Sequence, residues 1–388
     1  MSIPLVQSHL KQNGLDGWLL YDFRRSNRVA LDFLKIPKDA HLTRRLFYWI
    51  PPEGEPVCIV HAVETHLASH LHGEKRSYAS YDQLNHELKK ILNGAKKVAM
   101  EYSPRCDIPT VSKVDAGMVE LIRSMGVEVV SSASFLQYLM CQWSDQQLQL
   151  HREAGHVLDR TAQKCWDFIA DKLNKNHPLT EYEVQKFILK EIHTCGCIMD
   201  GEPICAVNAN SAIPHYAPSA QKSSPIKKGD WILIDLWCKK NLPGAVYADI
   251  TRVAVAAPAA TPRQEEIFQI VRKAQLEATE LVKSHLKKVH GYEVDAAARK
   301  VITDAGYGDY FTHRTGHNIH EEAHGPGANI DGFETHDDRL LIPRTCFSIE
   351  PGIYLPEEFG VRLEYDVYLH PDKLEINGGI QDSIITLV

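Results

Sequence analysis

No run of apolar residues in this 388-residue chain approaches the ~18 that a membrane-spanning helix requires. A helical span, and with it a membrane partner, is not expected. The opening stretch, Met1 to Tyr21, is equally short of signal-peptide features: polar Gln7, Ser8, Lys11 and Asp16 interrupt it, and it has no small-residue cleavage site. Paired cysteines are missing too. The nine cysteines are odd in number and scattered, and the close pair Cys195 and Cys197 lacks the spacing of a redox motif or zinc knuckle. Reduced thiols in a cytoplasmic chain are the expectation. Basic charge is in deficit, with 43 Lys and Arg against 50 Asp and Glu and a formal net charge of -7. Binding a phosphate backbone needs a dominant basic face, so no nucleic-acid partner is expected. The short Lys89-Lys90 and Lys96-Lys97 steps read as solvated helix ends.

What is present is the composition of an ordinary globular protein, 44% apolar and 24% charged. The length exceeds the roughly 100 to 200 residues of a single domain, so two domains are predicted, over residues 1–142 and 143–388. The first of these alternates strand-like and helix-like segments. Short apolar runs at Leu15 to Tyr21, Leu46 to Ile50, Val57 to Val60, Val98 to Met100 and Val127 to Val130 predict strands. Met118, Leu121, Ile122 and Met125 fall at i, i+3, i+4 and i+7, the spacing of one helix face. The sum is a small α/β domain.

Beyond it the pattern changes to α+β. Ser144 with Gln147 forms a capping-box pair that opens a long amphipathic helix to about Leu173, and Thr180 with Glu183 opens another. Strand-like Trp231 to Trp237 then pairs with Tyr247 to Ala256 across a loop holding Pro243 and Gly244. The same order recurs. Thr261, Pro262 and Gln264 start a helix of roughly 25 residues, and a shorter one runs from Glu293 to the stop at Gly306. Strands at Cys346 to Tyr354 and Val361 to Leu369 then flank a turn at Glu357 to Gly360. The order helix, helix, hairpin is given twice, with no residue-level repeat.

Each predicted hairpin carries two acids, Asp235 and Asp249 on the first and Glu350 and Glu364 on the second, and both pairs are 14 residues apart in sequence. A carboxylate inside an apolar strand such as Trp231-Ile-Leu-Ile-Asp235-Leu-Trp237 is costly to bury unless a cation neutralises it. A single such acid reads as well as a buried salt bridge or a hydrogen-bonded turn. Four in matching places point further: if the hairpins face one another, mutual repulsion drives their pKa values up unless metal ions occupy the centre. Two divalent cations balance four carboxylates. Between the hairpins, the segment from Thr312 to Gly325 holds His313, His317, His320 and His324, any of which can supply an imidazole ligand.

The segments Ile234-Asp235-Leu236, Ala248-Asp249-Ile250-Thr251-Arg252, His313-Arg314-Thr315-Gly316-His317, Ile349-Glu350-Pro351-Gly352 and Val361-Arg362-Leu363-Glu364 together resemble the metal-site motifs of the pita-bread metallopeptidases. Within that superfamily the chain is most similar to the aminopeptidase P and prolidase branch. The resemblance implies a C-terminal pita-bread domain with pseudo-twofold halves, preceded by a smaller creatinase-type N-terminal α/β domain. It implies that Asp235 chelates one metal, that Asp249 and Glu364 bridge both, and that His317 and Glu350 complete the second. It matches His215, in Pro214-His215-Tyr216, and His324 to substrate-pocket histidines. Arg362 lies two residues from Glu364, placed to orient a bridging carboxylate or to hold a substrate carboxylate.

The activity implied is hydrolysis of an Xaa-Pro bond, in a dipeptide or at the N-terminus of a longer peptide, by a metal-bridging hydroxide. Glu350 is then the general base, with His324 and His215 donating to the developing oxyanion or positioning the peptide. Four oxygen ligands and one imidazole favour manganese, with cobalt, iron or zinc as substitutes. Cys238, three residues beyond Asp235 and so on the opposite strand face, is read as structural. Homodimers are usual in the resembling branch. Two departures stand out: the loop Lys239 to Gly244 is about three residues longer than the family pattern, and Asn318 and His320 occupy positions where glycine is common. Two other readings stay open. One is a hydrolase or lyase of a small metabolite on the same fold; the other is a peptide-binding module without catalysis, a class that typically loses ligands this chain keeps.

Overall fold

The computed structural model describes residues 3–388, which divide into two compact units meeting at Leu139 and Met140. The first unit begins with helix α1 (Ile3–Gln12), followed by β1 (Gly17–Phe23), α2 (Arg28–Phe33), β2 (Arg45–Ile50), β3 (Val57–His61) and β4 (Glu74–Tyr78). It continues with α3 (Tyr81–Ile91), β5 (Lys97–Met100), α4 (Ala116–Ser124), β6 (Glu128–Ser131) and α5 (Ala133–Met140). Its six strands form one sheet in the order β4-β3-β2-β1-β5-β6. Neighbours are parallel except β2, which runs against both β1 and β3. Leu19, Phe47, Ile59, Val98 and Val129 pack with Leu84, Leu88, Met118 and Ile122 of the covering helices, the core the apolar runs predict. Strand β4 was not expected. Its sequence Glu-Lys-Arg-Ser-Tyr has no apolar signal because it lies at the sheet edge, where polar side chains are tolerated.

The second unit opens with α6 (Asp145–Asn174) and α7 (Glu181–Thr194), whose capping boxes at Ser144–Gln147 and Thr180–Glu183 both form. Such caps contribute roughly 1 kcal/mol each. Strands β7 (Cys197–Ile198) and β8 (Ile204–Val207) lead to the hairpin β9 (Trp231–Lys240) and β10 (Ala248–Val255). The second half follows with α8 (Pro262–Ser284), α9 (Gly291–Asp304), β11 (Asn318–Ile319), β12 (Cys346–Ile349), β13 (Gly352–Leu355), β14 (Phe359–Arg362), β15 (Tyr365–Leu369), β16 (Leu374–Asn377) and β17 (Ile385–Thr386). The predicted duplication of helix, helix, hairpin is present. No helix among the described residues is long and apolar enough to cross a membrane.

Alternation along β9 and β10 sets where the acids point. Ile232, Ile234, Leu236, Cys238, Ile250 and Ala254 pack against Val157, Leu158, Ile169 and Val184 of α6 and α7. The other face carries Leu233, Val253 and Val255, which join the core under α8 and α9. Asp235, Asp249 and Thr251 share this second face by period two. Cys238 lies on the first, as expected.

The second hairpin departs from expectation. The strands predicted at Cys346 to Tyr354 and Val361 to Leu369 each break in the middle, so that β12 pairs with β15 in one sheet while β13 and β14 form a separate ribbon. The breaks fall at Glu350-Pro351 and Leu363-Glu364, where Pro351 has no N–H to offer a ladder. The freed groups find other partners. Glu350 N–H donates to Thr315 O at 2.8 Å and Glu364 N–H to Thr251 O at 3.3 Å. Gln275 on α8 donates its Nε2 to the carbonyls of Ile349 (3.1 Å) and Leu363 (2.9 Å), one at each break. Helix α9 starts at Gly291, two residues before its predicted start, because His290 is the cap and Glu293 reaches back to its N–H at 2.8 Å.

Candidate metal centre

The two breaks aim both glutamates into the space faced by Asp235 and Asp249. A cavity of about 430 Å³ is lined by Asp235, Asp249, His317, Glu350 and Glu364, together with His215, His324, His313, Arg314 and Arg362. Every residue expected in the site lies there. Asp249, His317 and Glu364 each bring one ligand atom within 4.8 Å of the others. His317 Nε2 lies 3.9 Å from Asp249 Oδ2 and 3.4 Å from Glu350 Oε1. Since burial, reinforced by His324 and Arg314, keeps the His317 imidazole neutral, these are approaches of a lone pair rather than ion pairs.

Backbone geometry explains which histidine faces the acids. Gly316 is so close to Ser348 that an added Cβ would lie 2.0 Å from the Ser348 carbonyl oxygen, and this contact seats the segment against β12. Ser348 also bonds the segment directly: its N–H donates to His317 O at 2.9 Å, and its Oγ accepts from His317 N–H at 3.0 Å. His313 is no free ligand, because Nδ1 donates to Arg314 O and Nε2 meets Tyr354 Oη, both at 2.7 Å. His324 lies in the cavity with its ring tilted against that of His317, the centroids 4.3 Å apart. His320 and Asn318 are absent from the cavity lining: His320 sits beside Lys239, and the Asn318 amide is used by Cys346 O and Gly327 N–H.

The electrostatics show what the acids need. Burial first, then the charges of Glu364 and Asp235, push Asp249 well above the usual carboxylate range. Glu364 is driven the same way by burial, Glu350 and Asp235. Burial lifts Glu350 to about 7 against the opposing pull of Arg362 and Arg314. Asp249 Oδ1 is buried with no hydrogen-bond partner among the described residues. Orphaned, mutually repelling carboxylate oxygens beside a neutral imidazole are a donor set that divalent ions fit.

Around the acids lies a supporting layer of which Arg362 alone was expected from the sequence. Arg362 commits all three nitrogens: Nη2 to Asp235 Oδ2 (2.5 Å), Nε to Thr251 Oγ1 (3.0 Å) and Nη1 to Tyr354 Oη (3.0 Å). Thr251 in turn donates to Glu364 Oε2 at 2.6 Å. Of the two expected placements for Arg362, the geometry matches the orienting one. Asp366 accepts the Asp249 N–H at 2.9 Å, and Arg252 Nη1 holds the Glu364 carbonyl at 2.6 Å. Thr251 and Asp366 each lie two residues from a candidate ligand, Asp249 and Glu364 respectively, and that spacing was the signal available. Gln275 and Tyr354 carried none.

The metallopeptidase family M24 model matches residues 149–371, and the chain belongs to this family. An Xaa-Pro dipeptidase of Lactobacillus delbrueckii subsp. lactis is 31% identical over 60% of this chain and 58% of its own length. A probable dipeptidase PepE of Mycobacterium bovis is 30% identical over 70% of this chain and 68% of its own length. The chain spans between 39% and 63% of the first three curated relatives it matches. Among solved structures, dipeptidase PepE from Mycobacterium ulcerans superposes with a TM-score of 0.71 at 24% identity, covering 99% of this chain and 96% of that one. The fold is therefore the expected pita-bread architecture with a preceding α/β unit.

Proposed function

We propose that this chain hydrolyses the bond preceding proline, in Xaa-Pro dipeptides or at the N-terminus of peptides, with two divalent ions held by Asp235, Asp249, His317, Glu350 and Glu364. The observation that carries the reading is the convergence of both hairpins and the histidine segment on one cavity whose buried acids repel one another. Relatives named Xaa-Pro dipeptidase supply the substrate class. Ions bound there would polarise the scissile carbonyl and make a water nucleophilic at neutral pH.

The chain's own groups do the rest. Glu350 lines the cavity beside His317 and Asp235 and would accept a proton from the attacking water and return it to the leaving amine. Burial, aided by Arg314, holds His324 below its ordinary value, so it is neutral and able to donate one N–H to the carbonyl oxygen as charge develops. His215 lines the same cavity and positions the peptide. Arg362, through Asp235 and the Thr251–Glu364 pair, fixes ligand orientation. The oxygen-rich donors favour manganese.

Manganese-supplemented hydrolysis of Xaa-Pro dipeptides, Xaa-Pro tripeptides and proline-free controls tests the reading, alongside metal analysis of the purified protein. Cleavage confined to proline-containing peptides is the expected result. Silence across the panel from protein that holds metal would overturn the peptide substrate and favour a small-metabolite hydrolase or lyase. Silence with no metal retained would point to a binding module.

A further inference from the structure

The cavity contains two guanidinium groups in opposite circumstances. Arg362 has every nitrogen engaged by protein oxygens, so it has little left to offer a ligand. Arg314 is the reverse. Its main chain is fixed on both sides, the N–H donating to Glu334 Oε1 at 2.9 Å and the carbonyl accepting from His313 Nδ1 at 2.7 Å. Its guanidinium lines the cavity yet has no hydrogen bond, ion pair or ring contact among the described residues.

Other arginines of this unit with limited exposure are used. Arg339 pairs with Asp337, Arg299 with Asp295 and Arg252 with Glu364 O. Asp200 and Glu334, which also line the cavity, form no ion pair with the Arg314 side chain. Asp200 accepts Trp237 Nε1 at 2.6 Å, and Glu334 is held at the Arg314 main chain. A half-buried guanidinium fork with no protein partner, carried on an anchored main chain, suits a planar, bidentate anion. Its field already reaches the reacting groups, since Arg314 is among the charges acting on Glu350, His317 and His324.

We propose that Arg314 is the receptor for a carboxylate of the substrate and so sets which peptides are accepted. The proposal rests on the peptidase reading above. The carboxylate is either the C-terminus of a dipeptide or an acidic side chain at the first residue, and the two sources are separable. In the first case the protein prefers free dipeptides to longer or capped ones. In the second it prefers acidic first residues.

The test is titration calorimetry of the manganese-loaded full chain with three non-hydrolysable ketomethylene isosteres: Ala-Pro as free acid, Ala-Pro as carboxamide, and Glu-Pro as carboxamide. One of the two anionic probes is expected to bind at least about tenfold tighter than the neutral one, and to lose that advantage in Arg314→Ala, with Arg314→Lys recovering part of it. Retained metal content and an unchanged thermal midpoint of Arg314→Ala show that the loss is not one of folding. Equal binding of all three probes to the wild type, or a preference that survives in Arg314→Ala, overturns the proposal. Hydrolysis of the corresponding peptides is followed in parallel. Discrimination by binding without cleavage leaves the receptor standing and removes the peptidase reading; cleavage without discrimination does the opposite.

Discussion

Both units of this protein bury carboxylates, and they treat them differently. In the first unit Glu101 is fully buried at the end of β5, yet Trp18 Nε1 (2.6 Å), Asn27 Nδ2 (2.7 Å) and Ser132 Oγ (3.1 Å) all donate to it. In the second unit Asp249 and Glu364 are also buried, but Asp249 Oδ1 has no donor and each faces further acids. Neutral dipoles satisfy the first carboxylate from within the fold. In the second pair Thr251 reaches Glu364 Oε2, and Asp249 Oδ1 is left without a donor. Donor count and neighbouring charge together separate the two cases: Glu101 has three donors, whereas Asp249 Oδ1 has none and faces other acids.

The comparison is broken most sharply by Asp249→Asn. Hydrolysis is expected to fall by about a thousandfold, some 4 kcal/mol of barrier, with less metal retained. The metal-free variant is expected to be more stable than metal-free wild type by roughly 1 kcal/mol in urea unfolding, because a repelling charge has gone. Excess manganese, worth about 2.7 kcal/mol at a hundred times its dissociation constant, should then stabilise wild type and not the variant. A less stable metal-free Asp249→Asn would show that the acid is satisfied without a cation. Glu101→Gln is the converse: a loss of about 2 kcal/mol in the same unfolding assay, with metal content unchanged. If Glu101→Gln released metal, the division between the two kinds of acid would fail.

A smaller effect sharpens the comparison with a surface pair. Glu375 on β16 is held down to about 2, chiefly by the two 2.7 Å hydrogen bonds from Arg152 on α6. Its folded pKa lies below the ordinary 4.5, so its stabilisation is complete above about 4.5 and is lost as pH falls toward 2. Both side chains are partly exposed, 25% and 39%, so solvent screening limits Glu375→Gln to about 1 kcal/mol at pH 7. Urea midpoints of wild type and variant should converge as the pH is lowered through that window; a constant gap would mean that packing, not charge, is lost.

Local signals in the sequence were legible where one residue governs one feature. The capping boxes at Ser144, Thr180 and Thr261 all formed, and period two put Asp235 and Asp249 on one face. The His290 cap was missed because histidine is an uncommon cap, and β4 because an edge strand needs no apolar pattern. The broken second hairpin was hidden for a different reason. Apolar residues continue through Glu350-Pro351 and Leu363-Glu364, while the cause of the break lies in Thr251, Thr315 and Gln275, which the chain brings there only on folding. His320 was given weight for what it replaced, yet the chain turns it toward Lys239 and away from the cavity. Arg314 shows the same limit in reverse: whether a guanidinium is spent or free depends on neighbours far away in sequence.

The pairing of β9 with β10 sets Thr251 opposite Asp235 and Asp249 opposite Trp237. A slip of one residue would turn Asp249 toward the apolar side chains of α6 and α7, and a slip of two would carry it about 6.8 Å along the strand, out of reach of His317. Only one alignment gathers the ligands. If the proposed ions bind there, a molecule whose hairpin closed in the wrong register would not be loaded, and the loaded fraction of a refolded sample would count the correctly paired molecules.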